Sequence, residues 1–554
     1  MTPDARHRNL LVSFVRNCKS QLRQSKVADT TGVELSAGKL LTAVLIFRRL
    51  LLREVLGPEE KFVGLLLPPS AGAAIGNAAL SIAGRVPVNL NYTCSSSIIN
   101  SCIEQCQIRH VLTSRRVMDK LDLQLDAELV FLEDLRKTVK LADKLASLLD
   151  AYVVPAAALE RRLGLDRIKG DDLLTVLFTS GSTGDPKGVM LTHDNVASNI
   201  EAMNSLVHLG RDDVLCGVLP FFHSYGLTGT LWTMLALYPK AVYHFSPLDA
   251  KIIGDLCRKH KATLLMGTPT FLRNYIRRCQ PEDFATMDVV FASAERLPPD
   301  VAEAFEKKFG VRPFEAYGAT EMSPLVSVNV PPHRNVMPDR YGAREGSVGQ
   351  PVPGTTAKVV HPDTGAPLPN GEAGLLLLTG PNVMKGYFNR PEMTDEVMRD
   401  GWYVTGDIAY LDDEGYIHIT GRQTRFSKIA GEMVPHIKIE ESINELLGAG
   451  EEEILAVVTA VPDEGRGERL IVLHRALTTP PKEICERLLG SGLPNLWIPD
   501  ADSFIEVEEI PVLGTGKLDL RAMREVALQR TGLAPLEVEQ QRLGATRASG
   551  LDSP

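Results

Sequence analysis

Short apolar runs that alternate with amphipathic helical patterns are the feature that most limits what this chain can fold into. The runs lie at residues 173–179, 214–220, 241–245, 262–267 and 288–293. Helical patterns such as 249–260 and 300–309 lie between them. Apolar strands separated by helices are typical of parallel sheets with helices packed on their faces. We therefore predict an α/β fold.

The chain is long enough for several domains, and its character changes along the sequence. It has 554 residues, whereas an ordinary domain has roughly 150. From about residue 346, Gly/Pro turns and short alternating strands predict a small β-barrel-like subdomain. A segment with its own helices and strands follows and predicts a small α+β domain. We predict an N-terminal domain over 1–424, a C-terminal domain over 425–535 and a flexible tail over 536–554.

Composition and charge exclude several classes of function. The net charge is −9 and the pI is about 5.8, so no overall basic surface invites nucleic acid. Aromatic residues make up only 6%, which leaves little material for base stacking. The eight cysteines contain no C-x-x-C pair, and Cys102 and Cys106 lack further ligands at a metal-binding spacing. This pattern is typical of a reducing compartment and predicts a cytoplasmic protein.

Two segments near the N-terminus bear on membrane contact. Residues 62–84 are uncharged and long enough to cross a bilayer. Their prolines and small residues favour a buried strand followed by a buried helix, so we predict no transmembrane segment. In the basic segment 1–27, apolar residues recur every four positions from Leu10 to Leu22, which predicts an amphipathic helix. We expect this helix to dock on the body of the protein, with peripheral contact at the inner face of the membrane as the alternative.

The strongest local signal is a loop rich in glycine and hydroxyl groups, TSGSTGDPKGV. Residues 173–178 before it predict a buried strand, and 192–195 after it predict the start of a helix. Small residues and successive backbone N–H groups form an anion nest that suits a polyphosphate, and a following lysine adds positive charge. The spacing is not that of a Walker A loop. The predicted phosphate-binding residues are Thr179, Ser180, Gly181, Ser182, Thr183, Gly184 and Lys187.

This loop resembles the signature loop of the adenylate-forming (AMP-binding) superfamily, which includes acyl-CoA synthetases, luciferases and peptide-synthetase adenylation domains. Five further segments resemble motifs of that family in the same order, so the resemblance covers nearly the whole chain. It implies a large N-terminal domain and a small mobile C-terminal domain. It also implies ATP and Mg²⁺ as cofactors.

Two segments resemble the carboxylate and magnesium parts of the family's site. In LPFFHSYGLTGT, the resemblance places His223 between the acyl site and the nucleotide. Taken alone, a histidine after two phenylalanines is more often packed in a core. In EAYGATEMSP, the resemblance makes Glu321 a catalytic residue and the Mg²⁺ ligand, and lets Thr320 bond a phosphate oxygen.

Further residues are implied to hold the nucleotide. The ring of Tyr317, beside Gly318, offers a flat face for adenine. Upstream, Ala294 and Glu295 resemble the small-residue turn that lines the adenine pocket.

A later segment, GWYVTGDIAYLDDEGYIHITGR, is implied to hold the ribose. Asp407 is implied to accept hydrogen bonds from both ribose hydroxyls, and Arg422 to contact ribose or phosphate. The acidic run 412–414 looks like a metal cluster, but we predict a hairpin turn that ends at Gly415.

The C-terminal domain is implied to complete both half-reactions. The hinge falls at Arg425, where Thr424-Arg425 replaces the Lys-Asp pair that is common in the family. Lys428 and Gly431 resemble the stretch that contacts the incoming thiol arm. Lys517 is implied to contact the carboxylate and the α-phosphate. Rotation about the hinge would exchange the two lysines.

These parts predict an enzyme that activates an organic acid. A carboxylate is a poor electrophile, and joining it to AMP with release of pyrophosphate supplies a good leaving group. The resemblance is greatest to the synthetase half of the bifunctional acylglycerophosphoethanolamine acyltransferase/acyl-[acyl-carrier-protein] synthetase. It implies a long-chain fatty acid and the phosphopantetheine thiol of acyl carrier protein.

Other functions stay open at this point. A long-chain fatty acid–CoA ligase would use free CoA as the acceptor. An adenylation domain of the peptide-synthetase class would activate an amino acid, and an inactive nucleotide-binding scaffold would activate nothing. The bare H-x4-D spacing at His208 and Asp213 fits an acyltransferase motif, but we interpret it as coincidence because no domain-length segment remains to house that activity.

Overall fold

The chain divides into two compact units. In the computed structural model, the larger unit comprises Met1–Thr405 and Tyr410–His418, and the smaller comprises Gly406–Ala409 and Ile419–Pro554. The boundary between 424 and 425 stays a prediction. The residues that the structure describes are 9–180, 185–422, 425–429, 432–448, 454–463, 465–491, 493–512 and 518–533.

The α-helices of the described residues follow one another along both units. In chain order they are α1 (Leu10–Ser20), α2 (Ala37–Leu50), α3 (Ala71–Ile82), α4 (Ser96–Cys106), α5 (Arg115–Met118), α6 (Leu132–Lys137), α7 (Leu141–Tyr152), α8 (Ala156–Arg162), α9 (His193–Leu206), α10 (Thr233–Ala236), α11 (Ala250–His260), α12 (Pro269–Arg278), α13 (Pro299–Phe309), α14 (Pro391–Val397), α15 (His436–Leu446), α16 (Pro481–Leu489) and α17 (Leu520–Arg530).

The strands of the described residues are mostly short. In chain order they are β1 (Ser25–Asp29), β2 (Glu34–Ser36), β3 (Phe62–Leu65), β4 (Val86–Asn89), β5 (His110–Thr113), β6 (Glu128–Phe131), β7 (Leu173–Ser180), β8 (Pro186–Thr192), β9 (Val214–Gly217), β10 (Lys240–Tyr243), β11 (Leu264–Gly267), β12 (Val289–Ala292), β13 (Pro313–Gly318), β14 (Leu325–Val328), β15 (Gln350–Pro351), β16 (Thr356–Val360), β17 (Gly374–Thr379), β18 (Gly386–Tyr387), β19 (Met398–Arg399), β20 (Trp402–Leu411), β21 (Ile417–Arg422), β22 (Phe426–Ile429), β23 (Glu432–Pro435), β24 (Ala456–Asp463), β25 (Gly467–His474) and β26 (Phe504–Glu506).

Two sheets of the larger unit have a parallel core. The nine-stranded sheet has the order β15-β14-β13-β12-β11-β9-β10-β1-β2. Its strands from β13 to β1 are parallel, and β14, β15 and β2 add antiparallel edges. The four-stranded sheet β4-β3-β5-β6 is parallel throughout. The predicted α/β fold with parallel sheets is confirmed.

A third sheet departs from the parallel pattern. The apolar run 173–179 forms β7 as expected, but β7 pairs antiparallel with β8, and β8 pairs antiparallel with β18. The prediction of a parallel sheet is wrong for this run. Only residues 181–185 separate β7 from β8, whereas parallel neighbours need a crossover of about a dozen residues or more.

The region rich in Gly/Pro turns forms a five-stranded sheet. Its order is β16-β17-β20-β19, and β21 pairs with β20. Among the strands that the structure describes, this path does not close on itself. The predicted barrel-like subdomain is therefore an open sheet. The run 412–414 forms the predicted turn, because the N–H of Gly415 donates to the carbonyl of Asp412.

Both membrane-related segments of the N-terminus are packed into the larger unit. Residues 62–84 give the buried strand β3 and the buried helix α3. Helix α1 buries Leu11, Phe14 and Cys18 completely, and Arg16 pairs with Glu160 at 2.7 Å. The prediction that the N-terminal helix docks on the body is confirmed. In the described parts of the chain, no helix combines the length and apolar character needed to cross a membrane.

The smaller unit has the predicted α+β architecture. Its sheet has the order β23-β22-β25-β24, with β26 paired to β25. Because successive strand residues face opposite sides, Val457 and Val461 of β24 pack with α17, whereas Ala456 and Val458 pack with α15 and α16. Helices therefore cover both faces of this sheet.

Candidate active site in the larger unit

The two strands that flank the glycine-rich loop pair directly with each other. In the register of β7 and β8, Thr179 lies opposite Lys187, and Ser180 lies opposite Pro186. Lys187 therefore lies beside Thr179, where the glycine-rich loop begins. Four of the predicted phosphate-binding residues, at 181–184, lie outside the described residues.

The helix after the loop begins where the sequence predicts it. The Thr192 side chain accepts from the N–H of Asn195, and the Asn195 side chain accepts from the N–H of Thr192. This reciprocal capping satisfies donors that the first turn of α9 would otherwise leave open. The side-chain amide of Asn195 also donates to the carbonyls of Pro381 and Val383, so the same cap holds the segment that leads to β18.

Tyr387 joins the predicted lysine to the predicted carboxylate. Its hydroxyl donates to Oε1 of Glu321 at 2.7 Å, and the Nζ of Lys187 lies 5.5 Å from the centroid of its ring. Tyr387 is 5% exposed. Burial, and then the nearby charge of Glu321, raises the pKa of the Tyr387 phenol, so the group stays protonated and keeps donating. Lys187, Tyr387 and Glu321 form one polar cluster.

The backbone around Glu321 is folded tightly. A Cβ on Gly318 would come within 2.3 Å of the Pro324 carbonyl oxygen, so only glycine fits there. The main-chain carbonyl of Glu321 accepts from the N–H of Met384 at 2.7 Å. The amide of Asn382 donates to the carbonyls of residues 322 and 325. These bonds fix the carboxylate beside β18 rather than leaving it on a mobile loop.

Thr320 reaches the motif that contains His223. The hydroxyl of Ser224 donates to the Oγ1 of Thr320 at 3.3 Å. His223 is exposed, and its ring lies 4.6 Å from that of Phe222. The alternative of a packed core histidine is therefore wrong. An exposed imidazole next to Ser224 remains accessible to a substrate.

An aromatic wall lies behind His223. The ring of Phe222 meets Tyr92 edge-on at 4.9 Å between centroids, and the Tyr225 hydroxyl donates to the Phe291 carbonyl at 3.2 Å. Tyr225 begins a π-helical segment that runs to residue 232. π-helical turns are rare and often occur at functional sites. We call Phe222, Tyr92 and Tyr225 the aromatic wall; Phe222 and Tyr225 flank His223 and Ser224 in sequence, and Ser224 bonds Thr320.

The π-helical segment depends on a close backbone approach. A Cβ on Gly226 would come within 2.1 Å of the carbonyl oxygen of Pro220, so the chain can turn back on itself only with glycine here. Phe222, His223 and Ser224 lie between Pro220 and this segment, so their positions depend on the close contact between Gly226 and Pro220.

The two residues predicted to line the adenine pocket lie in a bend whose carboxylate bonds to the start of α12. Ala294 has a left-handed φ of +72° and Glu295 is exposed. Oε2 of Glu295 accepts from the hydroxyl of Thr270 at 2.8 Å and from the N–H of the same residue. Tyr317 is half-buried in β13, opposite Ser327. The structure does not join Ala294 and Glu295 to the polar cluster through any described bond.

The smaller unit positions its own predicted residues. Asp407 is 4% exposed and accepts from the Nε of Arg422 at 2.8 Å. Arg425 is buried and pairs with Glu440, so its side chain is anchored inside this unit. Gly431, Lys517 and the side chain of Lys428 lie outside the described residues.

The cysteines and the H-x4-D pair add no site. Asp213 is buried and accepts from Arg334 at 2.7 Å and from Thr263 at 3.0 Å, which is a structural role. Burial raises the pKa of Cys106 to about 12, so this thiol stays protonated. Within the described ranges, no group of three or more His, Cys, Asp or Glu side chains could hold a metal ion. The buried cysteines are Cys18, Cys102, Cys106, Cys216, Cys257 and Cys279.

The fold agrees with the family to which comparison assigns the chain. The model of the AMP-binding enzyme family matches residues 14–388, which is more than half of the sequence. The protein belongs to the AMP-binding enzyme family. The match ends one residue after Tyr387, so it includes the whole polar cluster.

Curated relatives and solved structures extend this result. The chain is 34% identical over 368 residues to a long-chain-fatty-acid–CoA ligase of Bacillus subtilis (strain 168), which covers 64% of this chain and 62% of that relative. It is 32% identical over 369 residues to a protein of the same name from Salmonella typhimurium, which covers 65% and 63%. The matched part thus spans less than two thirds of both relatives. The structure of ATP-bound MatB from Rhodopseudomonas palustris superposes with a TM-score of 0.74 at 26% identity, covering 93% of this chain and 98% of that one.

Proposed function

We propose that the protein activates a long-chain fatty acid with ATP to give acyl-AMP and pyrophosphate, and then transfers the acyl group to a thiol. The polar cluster of Lys187, Tyr387 and Glu321, beside the glycine-rich loop of an AMP-binding enzyme, carries this proposal. Ligases of fatty acids among the relatives support the substrate class.

In the first half-reaction, a carboxylate oxygen attacks the α-phosphorus of ATP and pyrophosphate leaves. The chain must align these groups and offset negative charge. The Nζ of Lys187 supplies positive charge at the end of the loop, and the Thr320 hydroxyl is a hydrogen-bond donor for a phosphate oxygen. The hydroxyl of Tyr387 holds the Glu321 carboxylate in one orientation.

The described donors fit a magnesium ion that arrives with ATP. Mg²⁺ usually takes one or two protein carboxylates, together with substrate phosphates and water. Glu321 offers one carboxylate, with Oε1 bonded to a neutral phenol, and the described residues form no larger acidic cluster around it. Glu321 would hold the ion, which would offset charge on the phosphates.

The acyl group would lie on the apolar side of the cluster. We propose that the aromatic wall borders the alkyl chain, with the packed rings of Phe222 and Tyr92 nearest to it. His223, exposed at its edge, would lie between the alkyl chain and the nucleotide. We place the reacting carboxylate there because the Ser224–Thr320 bond links the wall to the phosphate-facing turn.

The smaller unit would act as a mobile lobe. We propose that Asp407 binds the ribose hydroxyls, with Arg422 orienting its carboxylate, and that Lys517 contacts the carboxylate and the α-phosphate. Arg425 would anchor the hinge through Glu440, and Lys428 with Gly431 would contact the incoming thiol arm. In the second half-reaction, the thiol sulfur attacks the acyl carbon and AMP leaves.

We propose free CoA as the acceptor. Both fatty-acid ligases to which the chain is similar are CoA ligases by name, which favours CoA. Acyl carrier protein is the second candidate, because segments such as RFSKIAGEMV resemble the acyl carrier protein-dependent synthetases. We place the protein in the cytoplasm, with peripheral contact at the inner face of the membrane as the alternative.

The test measures the two half-reactions separately. Pyrophosphate release is followed with ATP across a series of fatty-acid chain lengths, and with amino acids for comparison. Thioester yield is then measured with CoA and with holo acyl carrier protein. We expect release that depends on long-chain acids, and thioester with CoA. Release with amino acids alone, or exchange that needs no acid, would defeat the proposal, and thioester with acyl carrier protein alone would change the acceptor.

A further inference from the structure

Helix α7 presents its apolar face to solvent and its polar face to the protein. The side chains on its inner face are polar or small, namely Asp143, Ser147, Asp150 and Ala151. The outward residues are Leu141, Leu145, Leu148, Leu149, Tyr152 and the following Val153, which are 70%, 59%, 44%, 51%, 43% and 68% exposed. A helix on a globular protein normally has the reverse arrangement. A contiguous exposed apolar strip of this kind marks an interaction surface.

Ion pairs and hydrogen bonds fix this orientation. Asp143 accepts two hydrogen bonds from Arg53, at 2.8 and 3.0 Å, and Asp150 accepts one from Arg49 at 2.8 Å. Lys19 of α1 donates to the backbone carbonyl of Asp150 at 2.8 Å, near the end of the helix. Turning the leucines inward would move both carboxylates into water and break their bonds to Arg49 and Arg53. The apolar strip is therefore a stable property of the surface.

Three exposed cations lie at the start of the strip. Arg136, Lys140 and Lys144 are exposed at and just before the start of α7. Both acidic residues of α7, Asp143 and Asp150, are buried in ion pairs on the inner face. The outward side thus combines leucines with cations and carries no carboxylate of its own helix. This combination is typical of helices that lie in the interface of an anionic bilayer.

We propose that α7 is a membrane-docking helix, with anionic phospholipid as its partner. The N-terminal helix, which the sequence offered as the candidate for membrane contact, has its apolar residues buried and cannot serve. A second copy of the chain is the other occupant to test, and the exposed cations at the start of α7 favour an anionic surface over it. The proposal stands on surface observations and does not depend on the proposed reaction. It would bring the enzyme to the phase in which a long-chain fatty acid accumulates.

The experiment is flotation of the full-length protein with lipid vesicles, without ATP or fatty acid. One set contains phosphatidylglycerol and phosphatidylcholine at about one to three, and the other contains phosphatidylcholine alone. We expect binding to the anionic vesicles that weakens as salt is raised, because about 0.1 M salt already screens charges beyond about 10 Å. A variant with three leucines replaced should have an affinity for the vesicles that is lower by about tenfold or more, because these side chains no longer enter the apolar layer of the bilayer. Its substitutions are Leu141→Gln, Leu145→Gln and Leu149→Gln.

Matched controls separate docking from general effects of surface change. The control triple variant replaces apolar residues of similar exposure elsewhere and should float like the wild type. Its substitutions are Leu248→Gln, Val336→Gln and Leu489→Gln. The double variant Lys140→Gln/Lys144→Gln should lose severalfold in binding to the anionic vesicles and lose much of its salt dependence.

The outcomes decide between occupants. Wild-type protein that does not float, or a leucine variant that floats equally well, would overturn the proposal. The proposal would also be overturned if the wild type does not float and is a dimer by light scattering, whereas the leucine variant is a monomer. In that case a second copy of the chain would cover α7. Pyrophosphate release with a long-chain fatty acid supplied in detergent, without vesicles, is measured in parallel and should be unchanged in the leucine variant. Its absence in the wild type, with flotation intact, would defeat the proposed reaction and leave the docking surface standing.

Discussion

Replacing Tyr387 with Phe removes one hydroxyl from the polar cluster and leaves the ring in place. That hydroxyl donates to the Glu321 carboxylate at 2.7 Å, and the residue is 5% exposed, so water cannot readily take its place. A hydrogen bond to a charged group contributes about 1.5–3 kcal/mol. Since about 1.4 kcal/mol corresponds to tenfold in rate, Tyr387→Phe should lower kcat for pyrophosphate release by about tenfold to a hundredfold.

The reason lies in the orientation of the carboxylate. Without the hydroxyl, Glu321 can rotate, and the groups that offset phosphate charge are no longer aligned. The ring beneath Lys187 is kept, so its cation–π contact of about 0.5–1 kcal/mol should survive in Tyr387→Phe. Tyr387→Leu removes both contacts and should lower the rate by a further severalfold.

The assay measures fatty acid-dependent pyrophosphate release and thermal unfolding on the same preparations. The control is Tyr275→Phe, because the Tyr275 hydroxyl is likewise bonded, to the Pro247 carbonyl at 2.9 Å, but belongs to a different part of the core. The control should lose some stability and keep its rate. If Tyr387→Phe also kept the wild-type rate and lost only stability, Tyr387 would be a structural residue and the reasoning would be refuted.

The remaining predictions concern a turn, a buried histidine and the C-terminal lysine. Gly226→Ala should lower Tm and pyrophosphate release together, whereas Gly57→Ala, where an added Cβ meets nothing within 4 Å, should change neither. Burial lowers the pKa of His436 to about 3, so the unfolded chain binds a proton at this histidine more readily than the folded chain does. The contribution of neutral His436 to the stability of the smaller unit should be fully present above about pH 6.5. Below that pH, the free energy of unfolding should fall by about 1.4 kcal/mol per pH unit. His436→Gln should flatten that fall in denaturant titrations at several pH values, and an unchanged slope would contradict the assignment. Lys517→Ala should abolish pyrophosphate exchange but spare thioester formation from supplied acyl-AMP, and equal loss of both would contradict its role.

The sequence predicts those parts of the fold that depend on local signals. Apolar runs at 262–267 and 288–293 became neighbouring parallel strands, because such runs can be buried on both faces only between helices. The helix start at Thr192 was readable because capping depends on residues three apart. The phosphate-binding role of the glycine-rich loop stays a prediction, because residues 181–184 lie outside the described residues.

Other parts depend on contacts that no local pattern encodes. Strand β8 was not anticipated, because Pro186 and Gly188 read as a loop exit. Tyr387 was missed because its role arises only when β18 pairs with β8 and brings it to Glu321; the only local signal is a Gly-Tyr pair. Periodicity likewise identifies an amphipathic helix but does not tell which face is bound. In α7 the inward face is set by ion pairs with Arg49 and Arg53, which lie about a hundred residues earlier in the sequence.

The pairing of β18 with β8 also sets a time order for biosynthesis. Lys187 and its tyrosine partner are separated by roughly 200 residues of sequence. Ribosomes add about 5–20 residues per second, so the lysine leaves the ribosome about 10–40 seconds before Tyr387 does. During that interval the nascent chain carries Lys187, and later Glu321, without the Tyr387 side chain that contacts both. Nucleotide binding by the growing polypeptide should therefore appear late, as a step that follows translation of the segment around residue 388.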